Sequence, residues 1–430
     1  MGTSSNTVPS LSIGYLSPGW PPEAFSNGIV TAIGTLTPAL RAMGHRVTIF
    51  TANLIEKTHD DSVYDLAQFQ RQAGAARRTL VRIGYRIFPE STGMRVMVQS
   101  ILGALRRAEA ERGIQIFEIE DSFGWARGIC RKTSIPICVR LHGPWFLNGL
   151  VCGEPQDAEF RRRVAREGEA IRAATAVTAP SSDVLERVRA FYGLPLPDAR
   201  VIPGTTPAVS ADQRWRLEAA EPHTVLFVGR FDRHKGGDLI VEAFGQVLRQ
   251  VPEARLWMVG RDQGYLADDG RKWMIEEFVR DRVPGALEAG RIRSFGFQSR
   301  AELDQLRRAA MVTVVCSRYE TFGSTVIEAM SMGCPIVAAR VGGIPEIVQH
   351  DVNGLMHHSE DSTDLAAKII DLLNRPSRAA CIGHEAAKTF EQRYHPHVIA
   401  GRFVEFYSQV IRARQRKSLR VSGAVNTHLS

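Results

Sequence analysis

The sequence predicts an α/β protein made of two doubly wound domains that face each other across a cleft. A chain of 430 residues is longer than one hydrophobic core usually supports, so two domains are expected. Short apolar runs alternate with helix-like segments in both halves, which is typical of parallel sheets. Residues 209–221 are polar and show no strand pattern. We therefore predict domains at 1–208 and 222–395, joined by a linker at 209–221.

In the first half, the pattern starts with a strand at 11–16, a helix at 31–42 and a strand at 47–50. Gly44 is typical of the end of that helix. The later strands are predicted at 114–119, 135–141, 176–178 and 201–202. In sheets of this kind, ligands bind in the crevice at the carboxyl ends of the strands.

The second half restarts the alternation after the linker. Its predicted strands lie at 225–228, 255–259, 292–295, 311–316 and 336–339. The last predicted helix covers about 396–418, with its core at 399–412, and residues 419–430 are predicted to form a flexible tail.

Composition indicates a folded cytoplasmic protein. The chain is 44% hydrophobic and 23% charged, and it contains no apolar run long enough to cross a membrane. Its N-terminus lacks the basic and apolar blocks of a secretory signal. Six cysteines show no metal-ligand spacing, so we expect free thiols, without disulfides or zinc.

The net charge of +8 is concentrated in two segments. One interleaves Arg71, Arg77, Arg78, Arg82 and Arg86 with Leu80, Val81, Ile83 and Tyr85; the other contains Arg412, Arg414, Arg416, Lys417 and Arg420. Solvated faces are the favoured interpretation. The alternative is contact with anionic lipid at the inner face of a membrane, or with an acidic acceptor. Nucleic acid is disfavoured because no aromatic-interleaved binding module accompanies the charge.

Residues 317–335 carry the most informative motif: Ser-Arg-Tyr-Glu-Thr-Phe-Gly-Ser-Thr-Val-Ile-Glu-Ala-Met-Ser-Met-Gly-Cys-Pro. The composition predicts a buried strand end, a glycine turn and a helix start. A helix beginning around Gly323, Ser324 and Thr325 presents backbone N–H groups that bind phosphate. Glu320, before the helix, and Glu328, one turn inside it, accept hydrogen bonds from hydroxyls. A ligand with a central diphosphate and polyols at both ends fits this pattern, and a nucleotide sugar has that structure.

Either glutamate alone would be interpreted as a surface residue. Together they are followed by Gly-Cys-Pro-Ile-Val-Ala-Ala at 333–339 and Val-Gly-Gly-Ile-Pro-Glu-Ile-Val at 341–348. This combination resembles glycosyltransferase family 4, retaining enzymes of the GT-B fold with two Rossmann-like domains. The resemblance covers about 14–407 and is densest at 225–354.

The resemblance implies a role for several residues. After the first strand of the second domain, Val-Gly-Arg-Phe-Asp-Arg-His-Lys-Gly-Gly places Arg230 and Lys235 where the family binds the donor phosphates. Cations there stabilise the departing diphosphate. The resemblance also implies that Glu320 contacts the donor sugar and that Glu328 contacts the ribose. It further implies that the final helix returns to the first domain.

Two further positions lie in the first domain. His142 follows a predicted strand at the point where family members place a histidine against the transferred sugar. Gly28 matches the second glycine of a Gly-Gly pair that meets donor phosphate, with Asn27 in place of the first. The chain also departs from the family at 201–207, where Val-Ile-Pro-Gly-Thr-Thr-Pro replaces the usual Pro-Asn-Gly.

These residues predict a hexosyltransferase that uses a nucleotide diphosphate sugar and no metal. The sequence has no Asp-x-Asp triplet, and Arg230, Lys235 and the helix start at Gly323 supply positive charge instead. A same-face mechanism with retention is implied by the resemblance.

Three rival functions use similar residues. A glycoside hydrolase would also need two carboxylates, but it has no diphosphate for Arg230 and Lys235 to bind. A sugar-nucleotide epimerase shares the fold. A non-enzymatic nucleotide-sugar binding protein is the third.

For the acceptor, Trp20, Trp145, Phe146 and Leu147 are predicted on loops and, with segment 71–86, indicate an amphiphilic wall. We therefore expect a lipid-linked or polysaccharide acceptor, with a soluble small molecule as the alternative.

Overall fold

A computed structural model describes residues 9–25, 27–55, 60–71 and 89–426. The chain forms two parallel β-sheets, one in each half, with helices on both faces of each.

The first sheet contains seven strands in the order β3-β2-β1-β4-β5-β6-β7. These are β1 (Ser12–Ser17), β2 (Arg46–Thr51), β3 (Val63–Asp65), β4 (Ile116–Glu120), β5 (Ile137–Arg140), β6 (Ala176–Ala179) and β7 (Arg200–Val201). All neighbouring pairs are parallel.

The described residues of this half form the α-helices α1 (Gly28–Ala42), α2 (Leu66–Arg71), α3 (Pro89–Arg112), α4 (Ala126–Cys130), α5 (Trp145–Val151), α6 (Ala158–Ala173) and α7 (Ser182–Tyr192). Adjacent strand residues face opposite sides of the sheet, and Ile116 and Phe117 accordingly lie in different hydrophobic clusters. Burial on both faces explains why these strands are apolar runs in the sequence.

The second sheet has six parallel strands in the order β12-β9-β8-β13-β14-β15. They are β8 (Glu221–Val228), β9 (Arg255–Val259), β12 (Ile292–Ser294), β13 (Ala310–Val315), β14 (Ile336–Ala339) and β15 (Leu355–His357); β10 (Tyr265–Leu266) and β11 (Lys272–Trp273) pair separately. The helices are α8 (Gly237–Gln250), α9 (Ile275–Arg282), α10 (Arg300–Ala309), α11 (Ser324–Ser331), α12 (Ile344–Ile347), α13 (Ser362–Asn374), α14 (Pro376–Arg393) and α15 (Pro396–Asn426).

Helix α15 returns to the first domain. Ile399, Phe403 and Tyr407 pack in the same cluster as Ile13 of β1. The Tyr407 hydroxyl also donates to Glu118 Oε2 at 2.7 Å. The helix continues to Asn426, so residues 419–426 are helical where a flexible tail was predicted.

The segment predicted as a linker is short and partly ordered into two 3₁₀ turns, Ala211–Gln213 and Leu217–Ala219. Between them, buried Trp215 donates its Nε1–H to the Ala310 carbonyl at 2.7 Å. Strand β8 begins at Glu221, earlier than predicted.

Strand order reverses once in each sheet, between β1 and β4 and between β8 and β13. At such a reversal, the connections leave toward opposite faces and open a crevice at the carboxyl ends of the two strands. The loops after β8 and β13 contain Arg230, Lys235 and Glu320, so three predicted site residues meet at the reversal point of the second sheet.

Candidate active site

Lys235 and Glu320 form an ion pair at this reversal point. Lys235 Nζ lies 2.5 Å from Glu320 Oε1, and the Ser317 hydroxyl donates to the same oxygen at 2.7 Å. Burial alone would raise the pKa of Glu320, but Lys235 and Ser317 hold it below its ordinary value. Glu320 is therefore ionised at neutral pH, and its hydrogen-bond acceptor is held in a fixed place.

The loop that carries Lys235 is pressed against the end of β13. Gly236 has φ +73°, and a Cβ added there would lie 2.2 Å from the Cys316 carbonyl oxygen. Only glycine fits this position without displacement of the backbone. Arg318 reinforces the contact, because its guanidinium binds both carboxylate oxygens of Asp238 at 2.9 and 2.7 Å.

Arg230 lies beside this pair and is held by Asp232. Arg230 Nε donates to Asp232 Oδ2 at 2.7 Å, while Asp232 Oδ1 accepts the backbone N–H of Lys235 at 2.7 Å. One carboxylate thus holds the guanidinium of Arg230 and the backbone of Lys235. The sequence interpretation missed Asp232, although it lies between the two residues it holds.

Two glycines hold the backbone of Glu320 and Thr321. The Gly343 N–H donates to the Glu320 carbonyl at 2.9 Å. A Cβ on Gly342, which has φ +49°, would lie 2.0 Å from that carbonyl oxygen, and one on Gly343 would lie 2.7 Å from the Thr321 oxygen. The glycine pair after β14 therefore allows the Glu320 loop to approach closely.

Gly323 adopts φ +99° and precedes α11, which begins at Ser324 as predicted. Ser324 is exposed and Thr325 is partly exposed, whereas Gly323 is buried. The start of α11 is therefore accessible at Ser324.

Glu328 belongs to a second ion-pair cluster. Its Oε2 pairs with Nη2 of Arg307, a side chain with no exposed surface, and its Oε1 lies 3.7 Å from Arg300 Nη1. Burial would raise the pKa of Glu328, but Arg307 and Arg300 lower it. The two glutamates of the motif are thus held by different cations.

Arg307 was missed at the sequence level. The signal is its position on α10, where helical spacing places it on the same face as Leu303. An arginine on the buried face of a helix needs a partner, and that partner is Glu328.

His142 follows β5 and meets the Glu320 loop from the other domain. Its carbonyl accepts the Thr321 hydroxyl at 3.0 Å, and its N–H donates to Asp121 Oδ1 at 3.1 Å. Burial and nearby Arg140 lower the pKa of His142 well below its ordinary value, so the imidazole is neutral at pH 7. The backbone of His142 thus contacts Thr321, the residue that follows Glu320 in the chain.

Gly28 is the first residue of α1. The Asn27 side chain caps that helix, because Asn27 Oδ1 accepts the N–H groups of Ile29 at 2.8 Å and Val30 at 3.3 Å. Two donors at this helix start are therefore already used within the chain. Within the described residues, no hydrogen bond joins Gly28 to the other predicted site residues.

The predicted amphiphilic wall needs correction. Trp145, Phe146 and Leu147 begin helix α5 rather than lying on a loop, and Phe146 and Leu147 are buried in the core of the first domain. The basic segment predicted to complete the wall, 71–86, lies outside the described residues except for the helical backbone at Arg71.

The described residues offer neither a membrane span nor a metal-ligand cluster. They contain no helix both long and apolar enough to cross a membrane. They also contain no group of three or more His, Cys, Asp or Glu side chains arranged to bind a metal ion.

Comparison with known proteins agrees with this architecture. Residues 26–206 match the family description Glycosyltransferase Family 4, and residues 210–389 match Glycosyl transferases group 1. A sucrose-phosphate synthase from Thermosynechococcus elongatus has a similar structure, with a TM-score of 0.67 over 94% of this chain and 100% of that one, at 22% identity. Anabaena HepE, solved with UDP and glucose, gives a TM-score of 0.62 over 93% and 100%, at 20% identity.

The relatives of this chain include D-inositol 3-phosphate glycosyltransferases. The one from Thermobifida fusca is 29% identical over 304 residues, covering 66% of this chain and 69% of the relative. The one from Thermobispora bispora is 27% identical over 335 residues, covering 73% and 75%.

The fold and these matches define a glycosyltransferase of the GT-B class. The chain belongs to glycosyltransferase family 4, as the sequence motifs predict.

Proposed function

We propose that this enzyme transfers a hexosyl group from a nucleotide diphosphate sugar to a small soluble acceptor. The observation that carries the donor assignment is the Lys235–Glu320 pair beside Arg230 at the crevice between β8 and β13. It offers cations for a diphosphate and a fixed carboxylate for sugar hydroxyls. The co-crystallised UDP and glucose of the Anabaena neighbour fit the same chemistry.

A soluble small-molecule acceptor, the alternative that the sequence left open, is favoured over a lipid-linked or polysaccharide acceptor. The relatives are named for inositol 3-phosphate, a small polyol carrying an anionic group. In addition, Phe146 and Leu147 are buried and leave the amphiphilic wall incomplete. A small hydroxylated acceptor is therefore the better-supported proposal.

The reaction proposed is retaining. The bond from the anomeric carbon to the phosphate oxygen breaks, and the acceptor hydroxyl oxygen forms the new bond on the same face. The hydroxyl proton passes to the departing phosphate oxygen. Arg230 and Lys235 stabilise the charge that develops on the diphosphate. His142, neutral at pH 7, is proposed to contact the donor sugar.

Product analysis tests this proposal. A panel of nucleotide sugars is incubated with and without inositol phosphate and related polyols, and the products are identified by mass, with the anomeric configuration measured by NMR. Transfer to a polyol with retained configuration is expected. Release of free sugar or an epimerised nucleotide sugar in every incubation would contradict it.

The donor contacts have their own test. Glu328→Gln should weaken the binding of free nucleoside diphosphate, whereas Glu320→Gln should affect mainly the complete sugar nucleotide. Calorimetric titrations that show the reverse pattern would overturn the two roles.

The proposed enzyme needs no metal, because Arg230, Lys235 and the start of α11 supply the positive charge near the diphosphate. Activity should therefore persist in EDTA. The measurement compares turnover in EDTA with turnover in added Mg²⁺ or Mn²⁺, and a strict requirement for either ion would contradict the proposal.

A lipid-linked or polysaccharide acceptor is the second candidate. One observation favours it: Arg412, Arg414 and Arg416 are exposed on α15. Such a face can bind anionic lipid in a salt-dependent way. Sedimentation with anionic liposomes at low and high salt tests it, and absence of binding at low salt would remove this candidate.

A further inference from the structure

The buried pair of Arg307 and Glu328 presents an energetic problem. Arg307 has no exposed side-chain surface, and Glu328 is nearly buried beside it. Removing two charges from water costs several kcal/mol per ion, and a well-packed apolar pair often stabilises a protein as well or better. Stability alone therefore does not explain why α10 and α11 are joined by charges.

The contacts of Arg307 fix its own orientation and the position of one Glu328 oxygen. Arg307 Nη2 binds Glu328 Oε2, and Arg307 Nη1 lies 3.4 Å from Asp304 Oδ1. Arg300, also on α10, pairs with Asp304 at 2.9 Å and approaches the other Glu328 oxygen only to 3.7 Å. The guanidinium of Arg307 is thus anchored on both sides, and it holds one oxygen of Glu328 more tightly than the other.

The remaining oxygen, Glu328 Oε1, is held less tightly than Oε2. Among the described residues, Glu328 Oε1 has only the longer contact to Arg300, whose side chain is 37% exposed, and the Glu328 side chain is itself 19% exposed. A carboxylate with one oxygen fixed and the other accessible accepts hydrogen bonds from a ligand hydroxyl in one defined direction.

We propose that Arg307 is a positioning residue that orients Glu328 and thereby sets the preference of the donor site for ribonucleotides over 2′-deoxyribonucleotides. This inference rests on the proposed function, in which Glu328 contacts the ribose. Arg307 itself touches no ligand. Its planar guanidinium binds Asp304 through Nη1 and Glu328 through Nη2, so the donor to Glu328 is held in one direction, which a lysine ammonium cannot reproduce.

The experiment measures the ratio of two affinities. UDP, GDP and ADP are first titrated calorimetrically into the wild-type enzyme, and the tightest is then compared with its 2′-deoxy form. A hydrogen bond to an ionised group that is lost in the deoxy compound should weaken binding roughly ten- to a hundredfold. Arg307→Met should bind the ribonucleotide about as weakly as it binds the deoxyribonucleotide. Its affinity for the deoxyribonucleotide should be close to that of the wild type.

Arg307→Lys keeps the positive charge beside Glu328, so this variant should fold even where Arg307→Met does not. The ratio of ribonucleotide to deoxyribonucleotide affinity should fall by about threefold or more in this variant, because an ammonium cannot bind Asp304 and Glu328 in the fixed geometry of the guanidinium. Arg308→Met is the matched control. Arg308 is the next residue on the same helix, where its Nη1 reaches the Gln213 carbonyl at 3.5 Å, and its loss should leave the ratio unchanged.

The outcomes separate the two proposals. A wild-type enzyme that binds none of the three diphosphates contradicts the proposed function and this inference together. Equal binding of ribose and deoxyribose forms overturns the inference alone. The Arg307 variants could also keep the wild-type ratio of ribonucleotide to deoxyribonucleotide affinity and show only a lower melting temperature. That result would assign the Arg307–Glu328 pair a purely structural role and would overturn the inference.

Discussion

At the scale of single residues, the proposed donor site depends on a small number of charges that hold one another. Asp232 binds Arg230 and the backbone of Lys235, and Lys235 binds Glu320. Each side chain is therefore oriented before any ligand arrives. Preorganised charge of this kind acts mainly on the transition state, because little reorganisation is needed when the leaving group ionises.

The two cations should be needed for turnover more than for binding. Arg230→Ala and Lys235→Ala are each expected to lose turnover by roughly a hundredfold or more, because each removes charge that stabilises the departing diphosphate. Steady-state kinetics with a saturating donor measures this. Arg249→Ala, on the last turn of α8, serves as a control for the loss of an arginine. Full turnover in both site variants would refute the assignment.

Glu320 should make folding stability depend on acid pH. Its folded pKa lies below the ordinary value of 4.5, so the unfolded chain takes up the proton first as the pH falls. The stability contributed by the pair with Lys235 is thus complete above about pH 4.5 and is lost as the pH falls through the folded pKa.

Glu320→Gln cannot take up this proton. Its melting temperature should therefore fall less steeply than that of the wild type between about pH 5 and pH 3. Thermal unfolding followed by circular dichroism at a series of pH values gives the comparison. Parallel curves for the two proteins would show that the Lys235 pair contributes no such stability.

At the scale of elements, the site is made by loops that follow parallel strands, and glycine allows these loops to touch. Gly236 brings the Lys235 loop onto Cys316 at the end of β13, and Gly342 brings the loop after β14 onto the Glu320 carbonyl. Both residues have positive φ. The glycine-rich pattern that supported the family resemblance thus has a steric cause.

Gly342→Ala should displace Glu320. The added Cβ would lie 2.0 Å from the Glu320 carbonyl oxygen, and φ +49° is itself unfavourable for alanine. We expect at least a tenfold loss of activity, because a shift of about 1 Å in a positioned group can cost more than that. Gly401→Ala, in helix α15 with open space around its Cβ, should leave activity unchanged. Equal activity of both variants would contradict the steric argument.

Much of the fold could be predicted from the sequence because buried parallel strands are apolar runs. The strands at 255–259 and 336–339 have the bounds that the pattern predicts. Strands β3 (Val-Tyr-Asp) and β15 (Leu-Met-His) were missed because neither is a run of β-branched apolar residues. The end of α15 was placed too early because its basic composition is equally typical of a tail.

The site was predictable only where its residues belong to one motif. Glu320, Lys235 and Arg230 lie in short segments with a recognisable pattern, whereas their pairing depends on the order of β8 and β13 in the sheet. The pairing of Arg307 with Glu328 joins two helices and has no local signal that names the partner. Asp121, which holds His142, likewise follows a different strand from the residue it binds.

At the scale of the whole molecule, the two domains meet on both sides of Glu320. The Ser181 hydroxyl donates to the Thr321 carbonyl at 2.6 Å, and the Tyr319 hydroxyl donates to Asp183 Oδ2 at 2.9 Å. These contacts come from the start of α7 in the first domain. The residues before and after Glu320 are therefore held by the opposite domain, which couples the domain arrangement to the position of the Glu320 carboxylate.

Glu346 contributes a two-point polar link to this interface. Its two carboxylate oxygens accept the N–H groups of Ser182 at 3.0 Å and Asp183 at 3.1 Å, so a side chain of the second domain caps the first turn of α7. A carboxylate at a helix N-terminus satisfies unpaired donors and interacts favourably with the helix dipole. Loss of such a cap costs about 1 kcal/mol.

Glu346→Ala should therefore loosen the contact between the domains without unfolding either of them. Small-angle X-ray scattering of the ligand-free protein should show a larger radius of gyration than the wild type, and turnover should fall because Thr321 and Glu320 lose part of their support. Glu385→Ala is the control, since Glu385 pairs with Lys388 on the surface of α14. Its scattering and turnover should match the wild type. An unchanged radius of gyration together with full turnover in Glu346→Ala would show that the other contacts hold the domains together by themselves.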